Sequence, residues 1–108
     1  MEIKQKEVKS SGIKFFIEKD GEEVARATLY LMHNDLHQRP FGLLEDVFVK
    51  EEFRGQGLGT EIVKKVLEEA KQRCYKLLAT SRYARENVHK WYQNLGFEDY
   101  GKEFRMNL

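Results

Sequence analysis

Residues Leu43 to Ala70 read LLEDVFVKEEFRGQGLGTEIVKKVLEEA and fall into three parts. Leu43 to Val49 is an apolar run holding two acids, Glu45 and Asp46. Arg54-Gly55-Gln56-Gly57-Leu58-Gly59 carries three glycines, and Thr60 to Arg73 is amphipathic. The order predicts strand, glycine loop, helix. The opening turn of a helix has backbone N–H groups without intrahelical partners, and the macrodipole places partial positive charge there. Glycines remove the side chains that would keep phosphates away from those donors. The stretch predicts a seat for a phosphorylated ligand.

The spacing narrows the ligand. A nucleoside-triphosphate P-loop needs Gly-Lys-Ser/Thr after its glycines, and Gly59-Thr60-Glu61 stands here instead. A dinucleotide fold sets G-x-G-x-x-G early in a longer alternating chain. The pattern from Arg54 to Gly59 is Arg-x-x-Gly-x-Gly, after an apolar strand and before a well-patterned helix. It resembles the coenzyme A pyrophosphate loop of the GNAT superfamily of acyl-CoA N-acyltransferases.

Composition sets bounds on the rest. The 108 residues make one domain, 1–108, large enough for a core without metal or disulfide staples. Nineteen basic against eighteen acidic side chains leave a formal charge of +1, which gives no reason to expect nucleic acid or an anionic membrane as partner. The apolar runs are far too short to span a bilayer, and Met1-Glu2-Ile3-Lys4-Gln5 has no signal-peptide core. The single Cys74 cannot staple the fold internally. This profile is compatible with a soluble cytoplasmic protein.

Along the chain, Glu2 to Lys9 is a weak strand signal and Ser10-Ser11-Gly12 reads as a turn. Ile13 to Ile17 reads as a firmer strand, and Asp20-Gly21 as a hairpin turn. Val24, Leu29, Tyr30 and Leu31 mark a long strand; His33 to Pro40 is a polar loop; Phe41 to Val49 is the next strand. In the helix that follows, Leu58, Ile62, Val66 and Ala70 repeat at four-residue spacing beside Val63 and Leu67. Glu61–Lys65 and Glu69–Arg73 are favourable i, i+4 pairs. Tyr75 to Thr80 reads as a buried strand parallel to Phe41–Val49, because a helix joins them. A second helix is expected over Ala84 to Leu95, with Ala84, Val88, Trp91 and Leu95 as its stripe and Gly96 as its stop. Phe97–Tyr100 and Glu103–Asn107 read as a closing hairpin across Gly101-Lys102.

Asn87-Val88-His89-Lys90-Trp91-Tyr92-Gln93-Asn94-Leu95-Gly96-Phe97 resembles the other GNAT signature, a helix ending in Tyr-x-x-Leu-Gly-Phe. The two motifs together extend the resemblance over about Gly21 to Leu108. It implies an α/β fold: a mixed, mostly antiparallel twisted sheet of six to seven strands, a central parallel β-α-β unit and two main helices. The family usually carries two helices between its first two strands, where Ser10-Ser11-Gly12 leaves room only for a turn. This chain therefore resembles a short member with a complete cofactor half and a reduced acceptor half. A further departure is Arg85, seven residues before the tyrosine, where the family commonly has asparagine; Asn87 follows two residues later.

The resemblance implies acetyl transfer from acetyl-CoA, with no metal, to an amine on a small molecule or on a protein. The amine attacks directly in a ternary complex. Cofactor contacts are implied for Val47, Phe48 and Val49, for Arg54, Gly55, Gln56, Gly57, Leu58, Gly59 and Thr60, and for Arg85 and Asn87. Backbone N–H around Val47 to Val49 would meet the oxyanion. Tyr92 matches the family's acid: a phenol of pKa about 10 stays protonated at neutral pH and can donate to a thiolate of pKa near 8.5. The competing reading makes Tyr92 an edge of the apolar stripe.

Glu45 and Asp46 sit where strand alternation sends neighbours to opposite faces. An alkylammonium of pKa about 10.4 is nearly all protonated at pH 7, so a carboxylate, directly or through water, is useful as base; Glu45 is taken as the catalytic candidate and Asp46 as the substrate-binding one, with Asp46 or water as the alternative base. Leu44-Glu45-Asp46 also resembles the diamine acetyltransferases; the competing reading is two solvated strand-end charges. Arg54 either meets phosphate or buttresses the loop. His33 and His37 lack further metal ligands, His89 reads as a helix histidine before a proton relay, and Cys74 as a core thiol. A rival class is a non-catalytic acyl-CoA-binding module. A homodimer is expected, its partner supplying the missing wall, unless His33 to Pro40 folds over the groove.

Overall fold

The computed structural model describes residues 1–108. Four strands form one sheet in the order β1-β2-β3-β4: β1 Ser11–Lys19, β2 Glu22–Met32, β3 Phe41–Val49 and β4 Leu77–Ala79. A helix, α1 Leu58–Arg73, connects β3 to β4, and α2 Glu86–Asn94 follows. The first two pairings are antiparallel and β3·β4 is parallel, as the β-α-β reading requires.

The Asp20-Gly21 turn between β1 and β2 has both residues at positive φ, 53° and 77°. That is the geometry Asp-Gly favours in a two-residue hairpin. On β2, Ala25, Ala27, Leu29 and Leu31 alternate onto the inner face, where Leu44, Ile62, Val63, Val66, Ala70 and Cys74 close the core. The predicted helix stripe is the one buried. Gly42 is required by this packing, since a Cβ there would stand 2.9 Å from Leu29 and Leu77 side-chain carbons.

The sheet has four strands rather than six to seven. Residues 2–9 form no strand, and Ser11 and Gly12 are not a turn but the start of β1, opposite Leu31 and Tyr30. Gly12 serves there by letting the Tyr30 ring lie 3.2 Å from where its Cβ would be. The hairpin expected over 97–107 is also absent. Its alternation is that of a strand, but a lone hairpin without a face to pack on is marginal in water. The helix ends shift too: α1 starts at Leu58 behind Gly57, and α2 spans Glu86–Asn94 behind Arg85. The Glu69–Arg73 pair forms at 3.5 Å, whereas Lys65 pairs with Glu68 rather than Glu61. No helix is long and apolar enough to cross a membrane.

Candidate active site

The loop between β3 and α1 begins with a single 3-10 turn, Glu51–Phe53. Arg54 then turns back, its Nε donating to the Val49 carbonyl at 2.9 Å, so its guanidinium buttresses the loop. Gly55 and Gly57 take φ of 79° and 81°, with no atom within 4 Å of where a Cβ would stand. Only glycine adopts that backbone without strain.

The first helical bond of α1 runs from Glu61 N–H to Gly57 C=O, at 3.0 Å. The N–H groups of Gly55 to Thr60 therefore donate no backbone bond within the protein. They border a cleft of about 220 Å³ lined by Val49, Phe53, Arg54, Gly55, Gly57, Leu58, Gly59, Thr60 and Trp91. Gln56 belongs to the same turn but not to the lining. Free donors, a helix N-terminus and open space above the glycines fit the phosphates of a CoA-like ligand.

Trp91 was expected only as part of the apolar stripe of α2. Its indole also donates from Nε1 to Thr60 Oγ1 at 2.9 Å, which ties α2 to the first turn of α1. The Thr60 oxygen accepts that bond and keeps its own proton to donate. A buried Trp seeking a partner for its N–H is the signal that points to such a link.

Tyr92 follows on the same helix, its ring 5.1 Å from Trp91 and edge-on to Phe97 at 5.2 Å. Burial pushes its phenol above 10, and the nearby charge of Glu45 pushes the same way, opposed by Arg85. Tyr92, Glu45 and Arg85 thus share one region. Arg85 and Asn87 are exposed at the start of α2, with no hydrogen bond holding either side chain. His89 is taken up locally, its Nε2 2.8 Å from the Arg82 carbonyl. His37 stacks on Tyr75 at 4.1 Å, and no group of side chains is arranged to hold a metal. Cys74 is buried, which raises its thiol pKa and makes it a core thiol.

The acids on β3 depart from simple alternation. Arg26 pairs with Phe48 and Thr28 with Glu45, so Asp46 and Val47 both stand opposite Ala27. This is a β-bulge, with Asp46 at φ 55°. Past it, Val47 and Val49 pack on the core while Phe48 is exposed. Asp46 is held by Arg26, with Nε–Oδ2 at 2.7 Å and Nη2–Oδ1 at 3.3 Å. Those hydrogen bonds keep its carboxyl below the usual range. Arg26 also reaches Glu23 at 3.5 Å and lies over the Phe48 ring at 4.7 Å. Glu45 has neither an ion pair nor a hydrogen bond and is exposed. The β3·β4 ladder covers only Gly42–Leu77, Leu43–Leu78 and Leu44–Ala79. From Glu45 to Val49, β3 has no strand beside it on the β4 side.

The model of the acetyltransferase (GNAT) family matches residues 2–97. The bovine (Bos taurus) thialysine N-epsilon-acetyltransferase is 40% identical over 57 residues, 52% of this chain and 34% of that protein. The chain spans between 16% and 46% of the length of the curated relatives it matches. Among solved structures, a Trypanosoma brucei acetyltransferase superposes with TM-score 0.78 at 28% identity, covering 92% of this chain and 69% of that one. An aminoglycoside N-acetyltransferase in complex with CoA superposes at TM-score 0.72 and 22% identity, covering 88% and 74%, a likeness of fold.

Proposed function

The chain belongs to the acetyltransferase (GNAT) family, and from that premise we propose that it transfers an acetyl group from acetyl-CoA to an amine. The observation that supports this most is the Trp91–Thr60 bond, because it brings the phosphate-ready loop and the Tyr92 helix to one end of the sheet. Acetyl-CoA supplies an activated thioester. The backbone of Gly55 to Thr60 receives its pyrophosphate, with Arg54 holding the loop in shape. The pantetheine arm runs along the open side of β3 beyond Leu44, where N–H groups of Val47 to Val49 serve the oxyanion. Arg85 and Asn87 flank this path from the start of α2.

Tyr92 acts as the acid for the departing thiolate. Its raised pKa keeps the phenol protonated, so the hydroxyl remains a donor throughout the neutral range. Glu45 takes the amine's proton through water: it is exposed, unpaired and close enough to influence Tyr92. Asp46 was the expected substrate-binding acid, but its carboxylate is engaged by Arg26, so its part is to fix the bulge beneath Glu45. A cationic small-molecule amine is the favoured acceptor; the bovine relative is named for thialysine and the CoA-bound neighbour for aminoglycosides. A cytoplasmic homodimer completes the proposal.

The test is release of CoA thiol from acetyl-CoA on addition of polyamines, aminoglycosides, amino acids or peptides. Turnover with an amine and none without supports the transferase. Tight CoA binding with no thiol release from any amine would leave an acyl-CoA-binding module.

A further inference from the structure

The two faces of the sheet are unlike. Ala25, Ala27, Leu29 and Leu31 of β2 join the core with α1, so Arg26, Thr28 and Tyr30 between them stand on the other face. The strand registers extend that outer face in rows. Tyr30 pairs with Leu43 and Leu43 with Leu78, Lys14 lies in line with Thr28 and Glu45, and Phe16 in line with Arg26 and Phe48. The first row is apolar, with Tyr30 and Leu78 exposed. The middle row carries the unpaired Glu45. The last is built around a guanidinium.

The surroundings of Arg26 are those of a bound cation. Asp46 takes two of its hydrogen bonds, Glu23 stands 3.5 Å from Nη1, and the Phe48 ring centre is 4.7 Å from the guanidinium carbon. Two carboxylates beside an aromatic ring make a cation seat. It adjoins Glu45 on the same face, where the far ammonium of a diamine would rest with its near amine at Glu45. The chain fills that seat itself. Lys14 pairs with Glu23 as well, so neither carboxylate is free.

We propose that Arg26 sets acceptor specificity: it stands in for the second cation of a diamine, so the chain takes amines with one cationic centre whose apolar body lies along Tyr30, Leu43 and Leu78. This assignment rests on the acetyltransferase reading and narrows its acceptor. A diamine must displace a tethered guanidinium that is bidentate on Asp46, whereas a monoamine needs only Glu45. A second ammonium laid instead on the apolar row would lose water and gain no partner. A hydrocarbon body there is covered without that cost.

The test sets butylamine against butane-1,4-diamine and hexylamine against hexane-1,6-diamine, read by release of CoA thiol from acetyl-CoA. The parent is expected to favour each monoamine in kcat/KM. Arg26→Gln should raise the diamine-to-monoamine ratio about tenfold through the diamine's KM, the effect of about one charge-assisted hydrogen bond. Arg26→Lys keeps a cation in the seat and should hold the ratio near the parent's. A role in shaping the bulge alone would move both acceptors together and leave the ratio unchanged. Binding is read apart from turnover by NMR of the Glu23 and Asp46 side-chain carboxyl carbons. Hexane-1,6-diamine should shift both signals in Arg26→Gln and neither in the parent. A parent that prefers diamines, or an unchanged ratio in Arg26→Gln, would overturn the assignment. If no amine releases thiol, the transferase reading fails by itself. The carboxyl signals then decide the role of Arg26: unmoved by the diamine in Arg26→Gln, they overturn it.

Discussion

Trp91 donates its indole N–H to Thr60 Oγ1 at 2.9 Å across 31 residues of sequence, one direct bond between the two helices that frame the cleft. A neutral hydrogen bond contributes about 1 kcal/mol net, which is roughly fivefold in an equilibrium constant. Trp91→Phe keeps an aromatic ring on the core and loses the bond. CoA affinity should fall about fivefold with kcat little changed, as calorimetry and steady-state kinetics would read. Loss of kcat at unchanged affinity would place Trp91 elsewhere in the mechanism.

Gly57 tests the loop in two steps. At φ 81° any Cβ is strained, although the space around it is open. Gly57→Ala should therefore cost stability, about 1–2 kcal/mol by thermal melting, through the backbone alone. Gly57→Glu adds a carboxylate beside the N–H groups assigned to phosphate. CoA should bind at least tenfold more weakly to the Glu variant than to the Ala variant, and equal affinities would move the phosphate site off this loop.

Tyr92→Phe should leave CoA affinity nearly intact and lower kcat by ~10²–10⁴, the range for a lost general acid. The pH profile carries a sign. Because burial first and then Glu45 raise the phenol's pKa, the alkaline loss of Tyr92's proton falls at higher pH than for an ordinary tyrosine. Glu45→Gln removes a charge that raises that pKa, so its limb should move to lower pH. Glu45→Gln should also cut the rate most at low pH, where the amine has a proton to lose.

The Arg26–Asp46 pair predicts an acid-side effect. The pair's folded-state carboxyl is depressed, so its stabilisation is present above the unfolded pKa of about 3.9 and is lost as pH falls through the lower folded value. Arg26→Gln should return Asp46 toward an ordinary carboxylate, seen by NMR titration of its side-chain carbon. The Asp46 side chain is 56% exposed, so the difference in acid stability should be small and shrink with salt. An unmoved Asp46 titration in Arg26→Gln would show that the pair does not set its charge.

Much of this was legible in the sequence because it is local. The helix stripe, the Asp20-Gly21 turn, the strand-loop-helix order and the parallel β3·β4 pair follow from periodicity and turn chemistry. What escaped depends on partners far apart in the chain. Gly12 looks like a turn residue until Tyr30 lies over it, and Trp91 looks like core until Thr60 meets its N–H. Residues 97–107 carry a strand's pattern, and a pattern of two cannot say whether a neighbour is present. Simple alternation at Glu45 and Asp46 gave the wrong geometry, because a bulge leaves no signature in residue type when Asp takes the left-handed place.

That bulge makes the chain's count, more than its chemistry, critical between Leu44 and Val49. Asp46 acts as a phase slip: one unit added there reverses which of the following residues look inward. Regular pairing through Asp46 would turn Val47 and Val49 out and Phe48 in, upstream of a loop whose own letters had not changed. Deleting Asp46 would instead set Val47 squarely opposite Ala27 and leave each later residue on its present face. Here the spacing of the chain carries information that no single residue does.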